Sequence, residues 1–225
     1  MTLKKRELKD LLYEQVARIG KAVASPKRLE ILELLAQGEK TVEALAEALS
    51  IDIKLTSAHL KTLRGSRLVQ NRRDGKYVVY RLSGDDVAQL WVTLRLVGEE
   101  HLVELQMALR QLVSAPDKLV QTDRAELLAQ ARSGEVVMLD VRPQAEYEVA
   151  HLPYARSMPL AEIERRLAEL PKDRDIVAYC RGPFCLFSDE ALKLLTRKGY
   201  RARKLPDGVA EWQAAGMAVE RPATH

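Results

Sequence analysis

The sequence predicts two domains, a mainly helical one over residues 1–115 and an α/β one with a parallel sheet over residues 116–225. Three observations carry this division. Apolar residues recur at helical spacing up to about residue 113. Ser114-Ala115-Pro116-Asp117 then breaks the pattern and reads as a hinge. From residue 122 onward, helical stretches alternate with the short apolar runs EVVMLDV and DIVAYC, which suit buried parallel strands. A chain of 225 residues is long enough for two such domains.

Each element has its own local signal. Residues 3–22 form an amphipathic helix, and Pro26 opens a second that runs through RLEILELLAQ to Gly38 as its C-cap. Thr41 caps VEALAEALS, and a short turn leads into the helix KLTSAHLKTLRGSR. In LVQNRRDGKYVVYRLS two β-rich runs flank Asp74-Gly75, a dipeptide that favours a tight hairpin. Helix, turn, basic helix and basic hairpin is the order of a winged helix-turn-helix. Residues 85–113 are expected to form one long helix that offers Trp91, Leu94, Leu102, Leu105 and Leu109 for burial. With helix 3–22 it carries more apolar surface than a small winged helix covers, which implies a homodimer interface. Beyond the hinge, Thr122 is expected to cap DRAELLAQARSG. Helices near 160–169 and 186–198 and a strand near 200–205 complete the α/β domain.

Charge placement narrows the partner class. The net charge is +4, and its excess lies wholly in the first half, with 19 Lys and Arg against 15 Asp and Glu. Residues 54–81 hold eight of these cations against Asp74 alone, a density that suits DNA phosphates. No apolar run reaches the roughly 18 residues needed to span a bilayer, and the N-terminus has no apolar signal-peptide core. A cytoplasmic protein without membrane contact is the expectation. There, two cysteines point to reactive or buried thiols rather than a structural staple.

Both cysteines fall within AYCRGPFCLFSDEALKLL, residues 178–195. An apolar strand ends at Cys180, a Gly/Pro loop follows, and an amphipathic helix starts near Leu186. That geometry aims backbone N–H groups and a helix N-terminus at a sulfur and favours the nucleophilic thiolate. A cysteine phosphatase would need an Arg closing this loop to hold phosphate; the position is Leu186, which disfavours that chemistry.

The stretches SPKRLEILELLAQGEKTVEALAEAL, SAHLKTLRGSRLV and RRDGKYVVYRL resemble the ArsR-like winged-helix repressors. The resemblance implies binding to a double-stranded DNA operator. Lys54, Thr56, Ser57, His59 and Lys61 would lie on the helix presented to the major groove, and Arg72, Arg73 and Lys76 on the wing. Many relatives sense metal through cysteines in the segment that here reads EKTVEAL, which has none. His101 and Glu104 stand at i, i+3 on the last helix, but Ala88 and Leu90 occupy places where upstream ligands are expected. Two ligands do not close a tetrahedral site, so no metal and no cofactor are expected.

The second half resembles the rhodanese domain, a sulfurtransferase family that carries sulfur as a cysteine persulfide. The matching motifs are LDVRPQAEYEVAHLPYARSMPL, the YCRGPFC loop and GYRARKLPDGVAEWQAAGMAV. By that resemblance Cys180 is the nucleophile. The amides of Arg181, Gly182, Phe184, Cys185 and Leu186 would surround its outer sulfur, with the Arg181 charge adding to the effect; Pro183 contributes no N–H. Asp140 and Arg142 match the family's DVR element and would brace the loop, while Glu146 and His151 are structural. Cys185 stands where many rhodaneses place an Arg or Lys. This removes a cation for anionic donors such as thiosulfate and supplies a second thiol able to resolve a persulfide.

Together the two resemblances imply a homodimeric DNA-binding repressor that receives sulfane sulfur on Cys180 from a small persulfide or thiosulfate-like donor. A sulfurtransferase enzyme with an attached DNA-binding domain and a Cys180–Cys185 redox switch are the alternatives.

Overall fold

The computed structural model describes residues 4–113 and 115–221, which form two compact units, Met1–Trp91 and Val92–His225. Ser114, the first residue of the expected hinge, lies outside the described residues.

The first unit is built from α1 (Lys5–Val23), α2 (Pro26–Leu35), β1 (Lys40–Thr41), α3 (Val42–Leu49), α4 (Ile53–Gly65), β2 (Val69–Asp74) and β3 (Tyr77–Leu82). Its core is Ile31, Leu32 and Leu35 of α2, Leu45 and Leu49 of α3, and Leu60 and Leu63 of α4, all buried. Pro26 sits in the first turn of α2, where its missing N–H costs no helical bond. This helix ends at Leu35, three residues short of Gly38. Thr41 caps α3 as expected, its side chain accepting the Ala44 N–H at 3.1 Å. The strands form an antiparallel sheet in the order β1-β3-β2. Asp74 pairs with Tyr77, so the hairpin turn consists of Gly75 and Lys76 and not Asp74-Gly75. Gly75 takes a φ of +58°, which glycine adopts without a Cβ penalty.

The expected single helix 85–113 is two helices, α5 (Asp85–His101) and α6 (Val103–Leu112). Leu102 takes an extended backbone between them, and the Gln106 side-chain amide donates to the Glu99 and Glu100 carbonyls beside the break. Of the five residues that this stretch offers for burial, Trp91 is buried within the chain; Leu94 and Leu102 are exposed, and Leu105 and Leu109 are half-buried, which leaves them free for an interface.

The rest of the second unit runs α7 (Arg124–Ser133), β4 (Val136–Asp140), α8 (Gln144–Val149), β5 (Arg156–Ser157), α9 (Ile163–Arg166), β6 (Asp175–Tyr179), α10 (Phe187–Arg197), β7 (Ala202–Lys204) and α11 (Val209–Ala214). The strands form a four-stranded parallel sheet in the order β5-β4-β6-β7. Apolar side chains cover both faces. Leu139, Ile176 and Ala178 meet Leu192 and Leu195 of α10, while Met138, Val177 and Tyr179 share a core with Leu127 and Trp212. The N-cap of α7 is Asp123, whose carboxylate accepts the Glu126 N–H at 2.8 Å. Thr122 is one residue too early, and its hydroxyl is buried without a hydrogen-bond partner among the described residues. The expected helix 160–169 is the single turn α9 between two 3₁₀ turns.

Candidate nucleic-acid interface and sulfur site

Asp52 starts α4 by accepting the Leu55 N–H at 2.8 Å. Thr56, Leu60 and Leu63 recur at i, i+4 and i+7 and make its buried stripe. Lys54, Ser57 and Lys61 recur at i, i+3 and i+7 on an exposed face, where the DNA-contact reading needs them. Thr56 corrects that reading. It is fully buried and its hydroxyl donates to the Asp52 carbonyl at 3.0 Å, so it has no surface to offer DNA. Leu55, the residue before it, is 44% exposed. His59 is half-buried; burial, followed by the charges of Arg28 and Lys27, holds its pKa below the ordinary histidine value.

On the wing, Arg73 and Lys76 are exposed, and the Lys76 ammonium lies 5.1 Å from the Tyr77 ring centroid. Arg72 is engaged differently. Its guanidinium holds Glu39 at 2.9 and 3.1 Å and Asp74 at 3.0 Å, so a phosphate would have to displace two carboxylates. Glu39 lies 33 positions upstream, and the local charge count did not include it.

The sulfur site sits at the carboxyl end of β6, the end of a parallel sheet where ligand crevices form. Cys180 and Cys185 are joined by a disulfide, with Cα atoms 6.2 Å apart. The loop between them turns at Gly182, whose φ of +146° disfavours any side chain. The Cys185 N–H donates to the Gly182 carbonyl at 3.1 Å, which takes it out of the expected amide cradle in this disulfide form. Leu186 precedes the first turn of α10 as its N-cap residue.

The Arg181 guanidinium is held by a carboxylate and an aromatic ring. Two N–H···O bonds, at 2.9 and 2.8 Å, tie it to the buried carboxylate of Glu146 on α8, and its guanidinium lies 5.2 Å from the Phe187 ring centroid. Asp140 and Arg142 do form the expected pair, fully buried, at 2.5–3.1 Å. Arg142 also donates to the Ala150 carbonyl at 2.7 Å. The Tyr179 hydroxyl donates to Asp140 at 2.7 Å and accepts the Leu152 N–H at 3.0 Å. The pair thus braces the residue preceding Cys180 and the 150–152 turn. Burial and the Asp140 charge push the Tyr179 phenol well above its ordinary pKa. For Arg142 burial works the other way, but the hydrogen bond and charge of Asp140 outweigh it and raise its pKa. His151 stacks on Tyr147 and its Nε2 lies 3.3 Å from Glu220.

What lies beneath the loop has no local signal in the sequence. A methyl group on Gly208 would stand 2.6 Å from the Cys180 carbonyl oxygen, so only a glycine lets α11 start there. Glu211 Oε2 accepts the Gly208 N–H at 2.8 Å, and a methyl on Gly182 would meet the same carboxylate at 3.0 Å. Among the described residues no group of three or more His, Cys, Asp or Glu is arranged to hold a metal ion. His101 ends α5 and Glu104 lies beyond the break in α6. No helix among the described residues is long and apolar enough to cross a membrane.

A winged helix-turn-helix followed by a parallel-sheet unit with a cysteine loop defines a transcriptional regulator carrying a rhodanese-like domain. Sequence comparison agrees. The bacterial regulatory protein arsR family model matches residues 25–71, and the rhodanese-like domain model matches residues 123–215. The HTH-type transcriptional regulator Rv0324 of Mycobacterium tuberculosis is 44% identical over 215 residues, 96% of this chain and 94% of that protein. The chain therefore belongs to the arsR family of transcriptional regulators, in a form that carries a C-terminal rhodanese-like domain. A sulfurtransferase of Allochromatium vinosum is 35% identical over 93 residues, 41% of this chain and 85% of that protein. Among solved structures, the homodimeric winged helix-turn-helix DNA-binding domain Mb0332 of Mycobacterium bovis is 44% identical, with a TM-score of 0.42; the match covers 46% of this chain and 94% of that one.

Proposed function

We propose that the protein is a homodimeric, cytoplasmic repressor whose hold on a DNA operator is set by sulfane sulfur arriving at Cys180. Residues 1–115 bind DNA and dimerise; residues 116–225 carry the sulfur chemistry. The observation that carries this reading is the bonded pair Cys180–Cys185 at the carboxyl end of β6, in a chain that also holds a DNA-binding fold. The exposed Lys54, Ser57 and Lys61 face and the wing residues Arg73 and Lys76 support the DNA contact. Exposed Leu8, Leu12, Tyr13 and Val16 on α1 and Leu96, Val97 and Met107 on α5 and α6 support the dimer.

The chemistry runs in two steps. The Cys180 thiolate attacks the outer sulfur of a small persulfide, RS–SH, forms Cys180–S–SH and releases RS⁻. The Cys185 thiolate then attacks the inner sulfur, the Cys180–Cys185 bond forms, and hydrosulfide leaves. No separate oxidant is required, because the sulfane sulfur is the species reduced. A second thiol so close to the first works against multiple turnovers to an external acceptor, which favours a switch over a sulfurtransferase.

The test uses wild type, Cys180→Ser and Cys185→Ser with glutathione persulfide, and a duplex that wild type selects from a random-sequence pool. Wild type should release hydrosulfide and weaken its DNA binding. Cys185→Ser should retain the added mass of one sulfur atom, and Cys180→Ser should neither gain sulfur nor change its binding. Equal responses from all three proteins would refute the proposal. Closure by peroxide but not by persulfide would leave the redox-switch alternative in its place.

A further inference from the structure

Arg95 is, with Arg142 and Lys204, one of three buried Lys or Arg residues among those described. Its side chain is 3% exposed, and it binds the Glu99 carboxylate one turn along α5 and Glu211 Oε1 at 3.2 Å; the Glu211 side chain is 4% exposed. Both residues of the Arg95–Glu211 pair belong to the second unit, and they are 116 positions apart in sequence.

Two buried charges need a reason, since their desolvation largely cancels their attraction. Glu211 supplies one through its other contacts. Its Oε2 accepts the Gly208 N–H, and its carboxylate lies so close to Gly182 that a methyl there would sit 3.0 and 3.2 Å from the two oxygens. Gly208 in turn packs on the Cys180 carbonyl and the Arg181 carbonyl group. The Cys180–Cys185 loop therefore rests on the Glu211 carboxylate with no slack. A loop that gains an outer sulfur, or passes between dithiol and disulfide, changes shape against close-packed neighbours, and the Glu211 carboxylate is one of those it touches. The next contact from Glu211 is Arg95, and α5 is one continuous helix from Asp85 to His101, whose first seven residues belong to the unit Met1–Trp91.

We infer that Arg95 is the positioning residue that couples the state of the Cys180 loop to α5, through the carboxylate of Glu211. The inference rests on the sulfur reading proposed above and names its route of transmission. It requires that the loop states differ in how they hold Glu211, so that Arg95 and the helix carrying it are biased between two arrangements.

The experiment separates sulfur uptake from response. Full-length wild type, Arg95→Lys, Arg95→Met and Arg95→Met with Glu211→Gln are reduced and then treated with glutathione persulfide. Intact mass follows sulfur uptake and disulfide closure, and amide hydrogen exchange follows residues 92–101. In the double variant neither charge is left buried alone, which guards against a simple folding failure of Arg95→Met. In wild type, exchange in this segment should change by about fivefold or more on treatment, the lower end of ordinary coupling. Arg95→Lys, which keeps the charge, should retain a response. Arg95→Met should react with persulfide as wild type does, and α5 should stay unchanged in both charge-deleted proteins once each has closed its disulfide. A wild-type-sized response in either charge-deleted protein overturns the inference. So does a wild type that closes its disulfide with α5 unmoved, although the sulfur reading then stands. A wild type that never reacts at Cys180 removes both.

Discussion

Arg181 grips Glu146 through two parallel bonds, Nε to Oε2 at 2.9 Å and Nη2 to Oε1 at 2.8 Å. The first residue after the reactive cysteine is thereby fixed to α8, whose own turn is held by the buried Asp140–Arg142 pair through the Ala150 carbonyl. The loop's cation is a structural anchor in this form of the protein.

Glu146→Gln should cost about 2 kcal/mol, the scale of a hydrogen-bonded charge that loses its partner, read as a lower urea midpoint. It should also release positive charge beside the sulfur. In the reduced protein the pH dependence of Cys180 alkylation by iodoacetamide should then move to lower pH. An unchanged alkylation profile would show that the anchored guanidinium already acts fully on the thiol.

Tyr179→Phe should destabilise the protein by about 1–2 kcal/mol, because the Leu152 N–H and an Asp140 oxygen each lose a buried partner. The phenol's folded pKa lies above its unfolded value of about 10, so the native state keeps this proton where the unfolded chain loses it. The phenol's contribution is complete below pH about 10 and falls as pH rises beyond it. Urea midpoints on either side of that value should show a shallower alkaline loss in the Phe variant.

Thr56→Val and Lys61→Ala should separate cleanly. The Val variant should change stability by about 1 kcal/mol and leave the salt dependence of DNA binding alone, since the hydroxyl is bonded to Asp52 in the core. Lys54→Ala and Lys61→Ala should each reduce the slope of log affinity against log salt by about one. Fluorescence anisotropy over a salt series reads both effects.

Lys204 is buried on β7 and its ammonium has no hydrogen-bond partner among the described residues. Burial lowers its pKa against the opposing pull of Asp189, so over the window up to about pH 10.4 the unfolded chain binds more protons and stability rises with pH. Lys204→Met should raise stability at neutral pH by about 1 kcal/mol and flatten that rise. A loss of stability at neutral pH would show the amine to be solvated or paired.

Much of the architecture was legible because its signals are local. Helical spacing places α1 to α4, the Asp74-Gly75 turn region marks the wing, and two apolar runs identify β4 and β6. The break at Leu102 was not legible, because the Gln106 amide that caps it gives no signal in a sequence that keeps helical spacing throughout. Thr56 was misplaced because a polar residue in a recognition helix reads as a contact until the stripe shared with Leu60 and Leu63 is seen.

By itself the sequence determined a winged helix, a parallel α/β unit and a cysteine loop at a strand end, since periodicity and turn chemistry act over a few residues. Only the tertiary structure decided which charges meet. Arg72 with Glu39, Arg181 with Glu146 and Arg95 with Glu211 join residues 33, 35 and 116 positions apart. Those pairings arise from the packing of whole elements, and no local pattern encodes which distant carboxylate a guanidinium will find.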